Sequence, residues 1–279
     1  MKNAIIFILL LFGSSLLYSQ KNNPEKLRAL LIVGKQEDGT KKAIDRMDIL
    51  AQLFEKNGVQ VFKFYDDKAV WEDIIKVSKD CSFLVYAGHG SIMGKDGNAG
   101  GIYITRMIST KELLSTLKLK ENALVLFKSV CRGAGSSAGD NGDIGIEEAK
   151  KRVTHYAYPF FEIGAAAYYA SNYVTGIDDF LEDFFAGKTL KQAFINSANW
   201  VDIEFETSFS GYSEKMFSIA SSKGEGTITK TRYLNGEKII SHVKAYKKYN
   251  IAFVGPADFT INKMQKNNKN GYVHTSINR

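Results

Sequence analysis

The sequence predicts an α/β fold with a mostly parallel central sheet, and three observations support this prediction. First, short hydrophobic runs alternate with segments of helical periodicity in the order β-α-β-α-β, which is typical of parallel sheets with right-handed crossovers. Second, the runs at residues 82–88 and 123–127 are apolar throughout, as in strands that helices cover on both faces. Third, Asn235-Gly236 between two strand-like segments indicates a C-terminal β-hairpin.

The predicted elements can be placed in chain order. The helix at 41–57 has apolar residues at helical spacing, and Gly58 is suited to end it. Ser109 and Glu112 form a capping-box pattern for a helix that ends at Leu117. The further helices are predicted at 68–79, 146–155, 176–185 and 190–200, with a short one after Tyr158. The strands are predicted at 27–33, 59–65, 82–88, 102–108, 123–127, 165–170, 216–220, 227–234, 238–246 and 251–254, with a closing turn at 255–261.

The 279-residue chain is long enough for one large domain with short flanking segments. Residues 1–20 resemble a signal peptide, because Lys2 precedes an apolar core at 4–17 that is too short for a transmembrane helix. We expect a secreted or periplasmic protein, cleaved near residue 20 and without stable membrane insertion; an uncleaved anchor is the alternative. The domain is predicted at 21–262, and 263–279 is predicted to be a polar tail.

The net charge and the distribution of basic residues indicate which classes of binding partner to expect. The net charge is +7, and the basic residues form no stripe with interleaved aromatic residues. A nucleic-acid partner is therefore not expected. The glycine-rich segment at 90–101 lacks the spacing of a phosphate-binding loop, but its glycines would allow a ligand to approach closely.

Two reactive residues follow the two hydrophobic runs. His89 comes directly after residues 82–88, and Cys131 follows the run at 123–127 closely. If these strands are parallel neighbours, both residues emerge at the carboxyl edge of the sheet, where open α/β sheets place their sites. A cysteine and a histidine at that edge predict a thiol nucleophile with a proton acceptor. The backbone N–H groups of Gly90 and Cys131 are candidates for an oxyanion hole.

The two cysteines are predicted to have different roles. Cys81 begins the first strand and Cys131 follows the second, so in a parallel pair they lie at opposite edges, roughly 20 Å or more apart. We therefore predict a free thiol at Cys131 and a small buried apolar residue at Cys81. His155 is the alternative base, although it is expected to be structural on a helix. His242 and His274 are expected to be solvated.

At these residues the sequence resembles the clan CD cysteine peptidases, the caspase–gingipain–legumain superfamily. The resemblance rests on a hydrophobic strand that ends in His89-Gly90 and a second that ends in Cys131, followed by Arg132-Gly133. It extends over residues 27–261 and is weaker in its later segments. It implies a caspase-like three-layer α/β/α fold, with His89 as general acid and base and Cys131 as nucleophile. It further implies an oxyanion hole from Gly90 and Cys131, and no cofactor.

The chain departs from that superfamily where its members bind substrate side chains. Ser129 stands where some relatives carry an acidic residue and caspases carry a glutamine, and Val130 replaces the usual alanine. The candidates for substrate binding are Ser129 and the acids after Cys131, namely Asp140 and Asp143. Asp178 and Asp179 are further candidate acids, and the sequence does not select among them. It also shows no basic pocket for an acidic substrate side chain.

The sequence thus predicts a secreted cysteine endopeptidase that acts on a protein or peptide substrate. The alternative is a non-catalytic, secreted binding module of the same fold, similar to CHAT-type domains. A peptide ligase is a third hypothesis, because an amine can take the place of water in attacking an acyl-enzyme.

Overall fold

The computed structural model describes residues 26–90, 100–224, 226–234 and 237–267. The predicted signal peptide, the greater part of the glycine-rich loop, the Asn235-Gly236 turn and the end of the tail lie outside these ranges. Among the described helices, none combines the length and the apolar composition needed to cross a membrane.

Within the described ranges, eight strands form the central sheet, and four more form two separate antiparallel pairs. The strands are β1 (Arg28–Val33), β2 (Gln60–Tyr65), β3 (Phe83–Ala87), β4 (Ile102–Tyr103), β5 (Met107–Ile108), β6 (Leu124–Lys128), β7 (Ala167–Ser171), β8 (Asp202–Phe209), β9 (Tyr212–Ser222), β10 (Thr227–Leu234), β11 (Glu237–Lys244) and β12 (Lys248–Gly255). The order across the sheet is β2-β1-β3-β6-β7-β12-β9-β8. The first five strands in this order are parallel, and the last three pair antiparallel.

Helices cover both faces of the sheet. They are α1 (Thr40–Lys56), α2 (Trp71–Ser78), α3 (Thr110–Thr116), α4 (Ile146–Glu162), α5 (Gly176–Phe185), α6 (Leu190–Ser197) and α7 (Ile261–Asn267). Helices α2, α3 and α4 pack on one face, whereas α1, α5, α6 and α7 pack on the other. The predicted three-layer α/β/α architecture with a mostly parallel sheet is therefore confirmed. The C-terminal hairpin is present as the antiparallel pair of β10 and β11.

The central strands are buried on both faces, as their sequences predict. In β3, Leu84 and Tyr86 point to the core under α2, α3 and α4, while Phe83 and Val85 point to the core on the other side. All five residues of β3 and all five of β6 are buried. Burial of each large apolar side chain contributes roughly 1.5–3 kcal/mol, so these two strands hold the carboxyl edge of the sheet firmly in place.

Two corrections concern the middle of the chain. The strand predicted at 102–108 is a small hairpin of β4 and β5 instead. Helix α4 runs from Ile146 to Glu162 without a break, whereas two shorter helices were predicted. Pro159 lies inside it and removes one backbone donor, but its buried neighbours Phe160 and Phe161 pack on the sheet. This packing outweighs the usual cost of an internal proline.

Two further corrections concern the last hundred residues. Strand β8 was not predicted, and β9 is eleven residues long, because the two pair along the free edge of the sheet. An edge strand has a weaker apolar pattern than a central one. Residues 261–267 form helix α7, where a turn and the start of a polar tail were predicted. Its buried residues Ile261 and Met264, spaced three apart, attach it to the core.

Candidate active site

The structure brings His89 and Cys131 to the same edge of the sheet. Strands β3 and β6 are parallel neighbours, and Ala87 at the end of β3 lies opposite Lys128 at the end of β6. His89 follows β3 by two residues and Cys131 follows β6 by three, so both lie beyond the carboxyl ends of adjacent strands. This is the juxtaposition that the two hydrophobic runs predicted.

Gly90 is packed directly against the loop that carries Cys131. A Cβ atom added at Gly90 would lie 2.0 Å from the Cys131 carbonyl oxygen and 2.7 Å from the Tyr156 hydroxyl oxygen. Both distances are far below van der Waals contact, so any side chain would force the two loops apart. The Tyr156 hydroxyl also donates to the Cys131 carbonyl oxygen at 3.3 Å. The glycine is therefore required by the close approach of the two backbones.

Tyr86 fixes the backbone of His89. Its buried hydroxyl group lies 2.8 Å from the His89 carbonyl oxygen and 2.7 Å from the Tyr103 carbonyl oxygen, so one proton is shared between two acceptors. Burial raises the pKa of the Tyr86 phenol above its ordinary value, which keeps this donor protonated. The His89 side chain itself is exposed, and its ring lies edge-on to that of Tyr103. A fixed backbone thus presents an accessible imidazole.

Cys131 lies in a tight turn between two residues with left-handed backbone. Ser129 has φ 55° and Arg132 has φ 68°, a region that costs a non-glycine residue roughly 1–2 kcal/mol. Three backbone hydrogen bonds of 2.9–3.0 Å close the turn: Arg132 N–H to Ser136 O, Gly133 N–H to Val130 O, and Gly135 N–H to Arg132 O. The Cys131 N–H is not among these donors. The turn therefore holds the thiol in place without using the adjacent amide.

The two thiols differ as predicted. Both cysteines are free, but Cys81 is completely buried and its thiol donates to the Val77 carbonyl oxygen at 3.3 Å. Burial raises the pKa of the Cys81 thiol to about 12, so at neutral pH it stays protonated and unreactive. Cys131 is only half-buried and lines a cavity. Of the two, Cys131 is the thiol that a ligand can reach.

The cavity beside Cys131 has a volume of about 230 Å³. Ser129, a predicted substrate-binding residue, lines it. The remaining lining residues were not predicted, and they are Ser136, Ser137, Ala138, Asn172, Lys248 and Asn250. Asn172 follows the parallel strand β7, and Lys248 begins the antiparallel strand β12 beside it. Because an antiparallel strand begins at the edge where its parallel neighbours end, residues distant in sequence meet at this cavity.

The two predicted acids after Cys131 do not line this cavity. Asp140 is buried, and Nη1 of Arg152 lies 3.0 Å from each of its carboxylate oxygens. The Asp140 carboxylate also accepts the Ser137 N–H at 2.7 Å, so it holds the loop in shape. Asp143 is exposed, and its carboxylate accepts the Gly145 N–H at 2.8 Å just before helix α4. Both carboxylates thus stabilise the conformation of the loop between Cys131 and helix α4.

The other two candidate acids lie in helix α5. Asp178 pairs with Lys128 at the end of β6, with Nζ 3.3 Å from Oδ2. Lys128 also donates to the Val174 carbonyl oxygen at 2.7 Å. Burial is the main cause that lowers the pKa of Lys128 and raises the pKa of Asp178, because it disfavours the charged form of each. Asp179 is exposed and does not line the cavity.

Lys128 is expected to make the unfolding free energy depend on alkaline pH. Its folded pKa is lower than the ordinary 10.5. At a pH between the folded and the unfolded pKa, Lys128 is protonated in the unfolded chain but largely neutral in the folded protein. The free energy of unfolding therefore rises with pH in this interval, by up to about 1.4 kcal/mol per pH unit. We expect Lys128→Met/Asp178→Asn to lack this rise when urea unfolding of both proteins is compared from pH 7 to 11. If the free energies of unfolding of the two proteins differ by the same amount at every pH from 7 to 11, the prediction is wrong.

In the described part of the chain, no three His, Cys, Asp or Glu side chains are arranged to hold a metal ion. Comparison of the chain with models of protein families and with curated proteins gives no match. The features of the molecule that bear on function are the sheet edge at β3 and β6, the accessible thiol of Cys131 and the cavity beside it.

Proposed function

We propose that this protein is an exported cysteine endopeptidase of the caspase–gingipain–legumain superfamily. Cys131 would attack the substrate and His89 would act as general acid and base. The observation that carries the proposal is the juxtaposition of the two strand ends. His89 and Cys131 follow adjacent parallel strands, and the Gly90 backbone lies against the Cys131 carbonyl group.

The reaction begins when His89 accepts the thiol proton of Cys131 and the sulfur forms a bond to the carbonyl carbon of the scissile peptide. The carbonyl oxygen becomes an oxyanion that accepts hydrogen bonds from the N–H groups of Gly90 and Cys131. The C–N bond then breaks, and the leaving amine takes the proton from His89. A water molecule, deprotonated by His89, attacks the thioester and releases the carboxylic acid and the free thiol.

Three features of the site support this chemistry. The Cys131 thiol is accessible, whereas the Cys81 thiol is buried. The turn around Cys131 places two non-glycine residues in the left-handed region, and strained backbone of this kind occurs often at catalytic sites. The cavity beside the thiol is large enough to accept one substrate side chain.

Labelling with a peptidyl acyloxymethyl ketone tests the proposal. The intact protein is expected to react at Cys131, as located by mass spectrometry, and Cys131→Ala is expected to lose labelling and peptide hydrolysis by at least about 10³-fold. Cys81→Ala is the matched control. It should keep both activities, because the thiol that it removes is buried.

Two outcomes would count against the endopeptidase. If probes with acidic, basic and apolar side chains all fail to react with the intact protein, the site is not catalytic, and the binding module becomes the better hypothesis. If Cys131 is labelled but an added amine rather than water takes the acyl group, the protein is a ligase. Product analysis by mass spectrometry separates hydrolysis from amine transfer.

A further inference from the structure

The cavity beside Cys131 contains a cation and no carboxylate. Among its lining residues, Lys248 alone carries a full charge. Its ammonium group lies 5.6 Å from the centre of the Tyr246 ring, and within the described ranges no carboxylate forms an ion pair with it. The adjacent Lys247 differs, because its ammonium group pairs with Glu204 at 3.1 Å. The field in the cavity therefore favours an anion.

The serines of the cavity wall supply hydrogen-bond donors. Ser136 Oγ accepts the Tyr249 N–H at 2.8 Å, and Ser137 Oγ accepts the Gly139 N–H at 3.2 Å. A hydroxyl group that accepts from the backbone still has its own proton to donate. Both serines can therefore donate to a ligand in the cavity, in addition to the ammonium group of Lys248.

The side-chain amides of the cavity use most of their hydrogen-bonding capacity on each other and on the wall. Asn250 Oδ1 accepts from Asn172 Nδ2 at 3.2 Å. Asn250 Nδ2 donates to Tyr173 at 3.2 Å and to Ser222 at 3.3 Å. Asp140, the nearest buried carboxylate after Cys131 in sequence, is paired with Arg152. The ammonium group of Lys248 and the hydroxyl groups of Ser136 and Ser137 are thus the donors of the wall that can bind an anion.

We infer that this cavity binds an acidic side chain, Asp or Glu, of the substrate residue whose carbonyl group Cys131 attacks, with Lys248 as the charge partner. The inference rests on the proposed function and names its substrate class. A carboxylate only accepts hydrogen bonds, so it matches an ammonium group and two hydroxyl donors. An amide side chain would leave Lys248 without a counter-charge. A basic side chain would be repelled by Lys248.

The test uses acyloxymethyl ketone probes that differ only in the side chain next to the reactive group: Asp, Glu, Asn, Lys or Ala. The intact protein is expected to react with an acidic probe at least about tenfold faster than with the Asn probe. Lys248→Met should abolish this difference, Lys248→Arg should keep it, and Lys248→Glu should favour the Lys probe. Lys247→Met is the matched control and should behave like the intact protein, because its ammonium group pairs with Glu204.

If neither the Asp probe nor the Glu probe reacts faster with the intact protein than the Asn probe, or if the Lys probe reacts fastest, the inference is overturned without any variant. A Lys248→Met variant that keeps the acidic preference would overturn the role of Lys248. In each of these cases labelling at Cys131 would continue, so the proposed function would stand. Failure of all five probes would instead overturn the proposed function, and the inference with it.

Discussion

Replacement of His89 by glutamine is expected to lower kcat/KM for peptide hydrolysis by about 10²–10⁴-fold, the usual effect of losing a general acid and base. Without the imidazole, nothing accepts the thiol proton of Cys131 or protonates the leaving amine. Glutamine preserves the polarity of the exposed position, and the bond that the Tyr86 hydroxyl group makes to residue 89 goes to the backbone carbonyl oxygen, which the substitution keeps. The fold should therefore be unchanged, and thermal unfolding followed by circular dichroism will check this.

The matched control for His89→Gln is His155→Gln. His155 is the alternative base and lies in helix α4, so its replacement should leave kcat/KM within about threefold of the original value. If His155→Gln rather than His89→Gln removes activity, the general base has been assigned to the wrong residue.

The sequence was sufficient to predict the centre of the fold and the edge where the candidate site lies. Strands β3 and β6 are buried on both faces, so their hydrophobic runs carry an unambiguous signal. The residue types that follow them, His89-Gly90 and Cys131, were recognisable for the same reason. The opposite roles of the two cysteines also followed from the parallel direction of the strands alone.

The cavity beside Cys131 could not be predicted, because it depends on the direction and register of a distant strand. Lys248 belongs to the cavity only because β12 is antiparallel to β7 and begins at the carboxyl edge. The sequence of a strand does not reveal its direction in a sheet. No basic pocket was evident from the sequence, and Lys248, which lines the cavity, lies about 120 residues beyond the cysteine. The pairing of Asp140 with Arg152 could not be predicted either, because it depends on how the irregular loop folds back against the following helix α4.

Replacement of Arg152 by methionine is expected to reduce the free energy of unfolding by about 3–5 kcal/mol, the usual cost of breaking a buried ion pair. Arg152 is 7% exposed, and its guanidinium group also donates to Glu148 at 2.8 Å and to the Gly135 carbonyl oxygen at 3.1 Å. Its loss removes the guanidinium group that neutralises the buried carboxylate of Asp140, which also accepts the Ser137 N–H. Chemical denaturation, compared with the intact protein at one pH, measures the change.

Two further variants distinguish the destabilisation caused by an uncompensated buried charge from the destabilisation caused by lost side-chain packing. Arg106→Met removes an exposed arginine that pairs with Glu112 at 2.7 Å, and it should reduce the free energy of unfolding far less than Arg152→Met does. Asp140→Asn in the Arg152→Met background should recover most of the lost stability, because the amide oxygen still accepts the Ser137 N–H and no buried charge is left unpaired. A double variant as unstable as Arg152→Met would show that packing, rather than charge, dominates.

The Arg152→Met and Arg106→Met variants also test whether the buried ion pair supports the geometry of the candidate site. Asp140 and Arg152 anchor the far end of the loop that begins at Cys131, because Arg152 bonds both to Asp140 and to the carbonyl group of Gly135. At temperatures where Arg152→Met remains folded, its kcat/KM should still fall by about 10²-fold, because a displacement near 1 Å disrupts a catalytic arrangement. Arg106→Met should keep full activity. Equal activity in the two variants would mean that the turn around Cys131 holds its geometry without the buried pair.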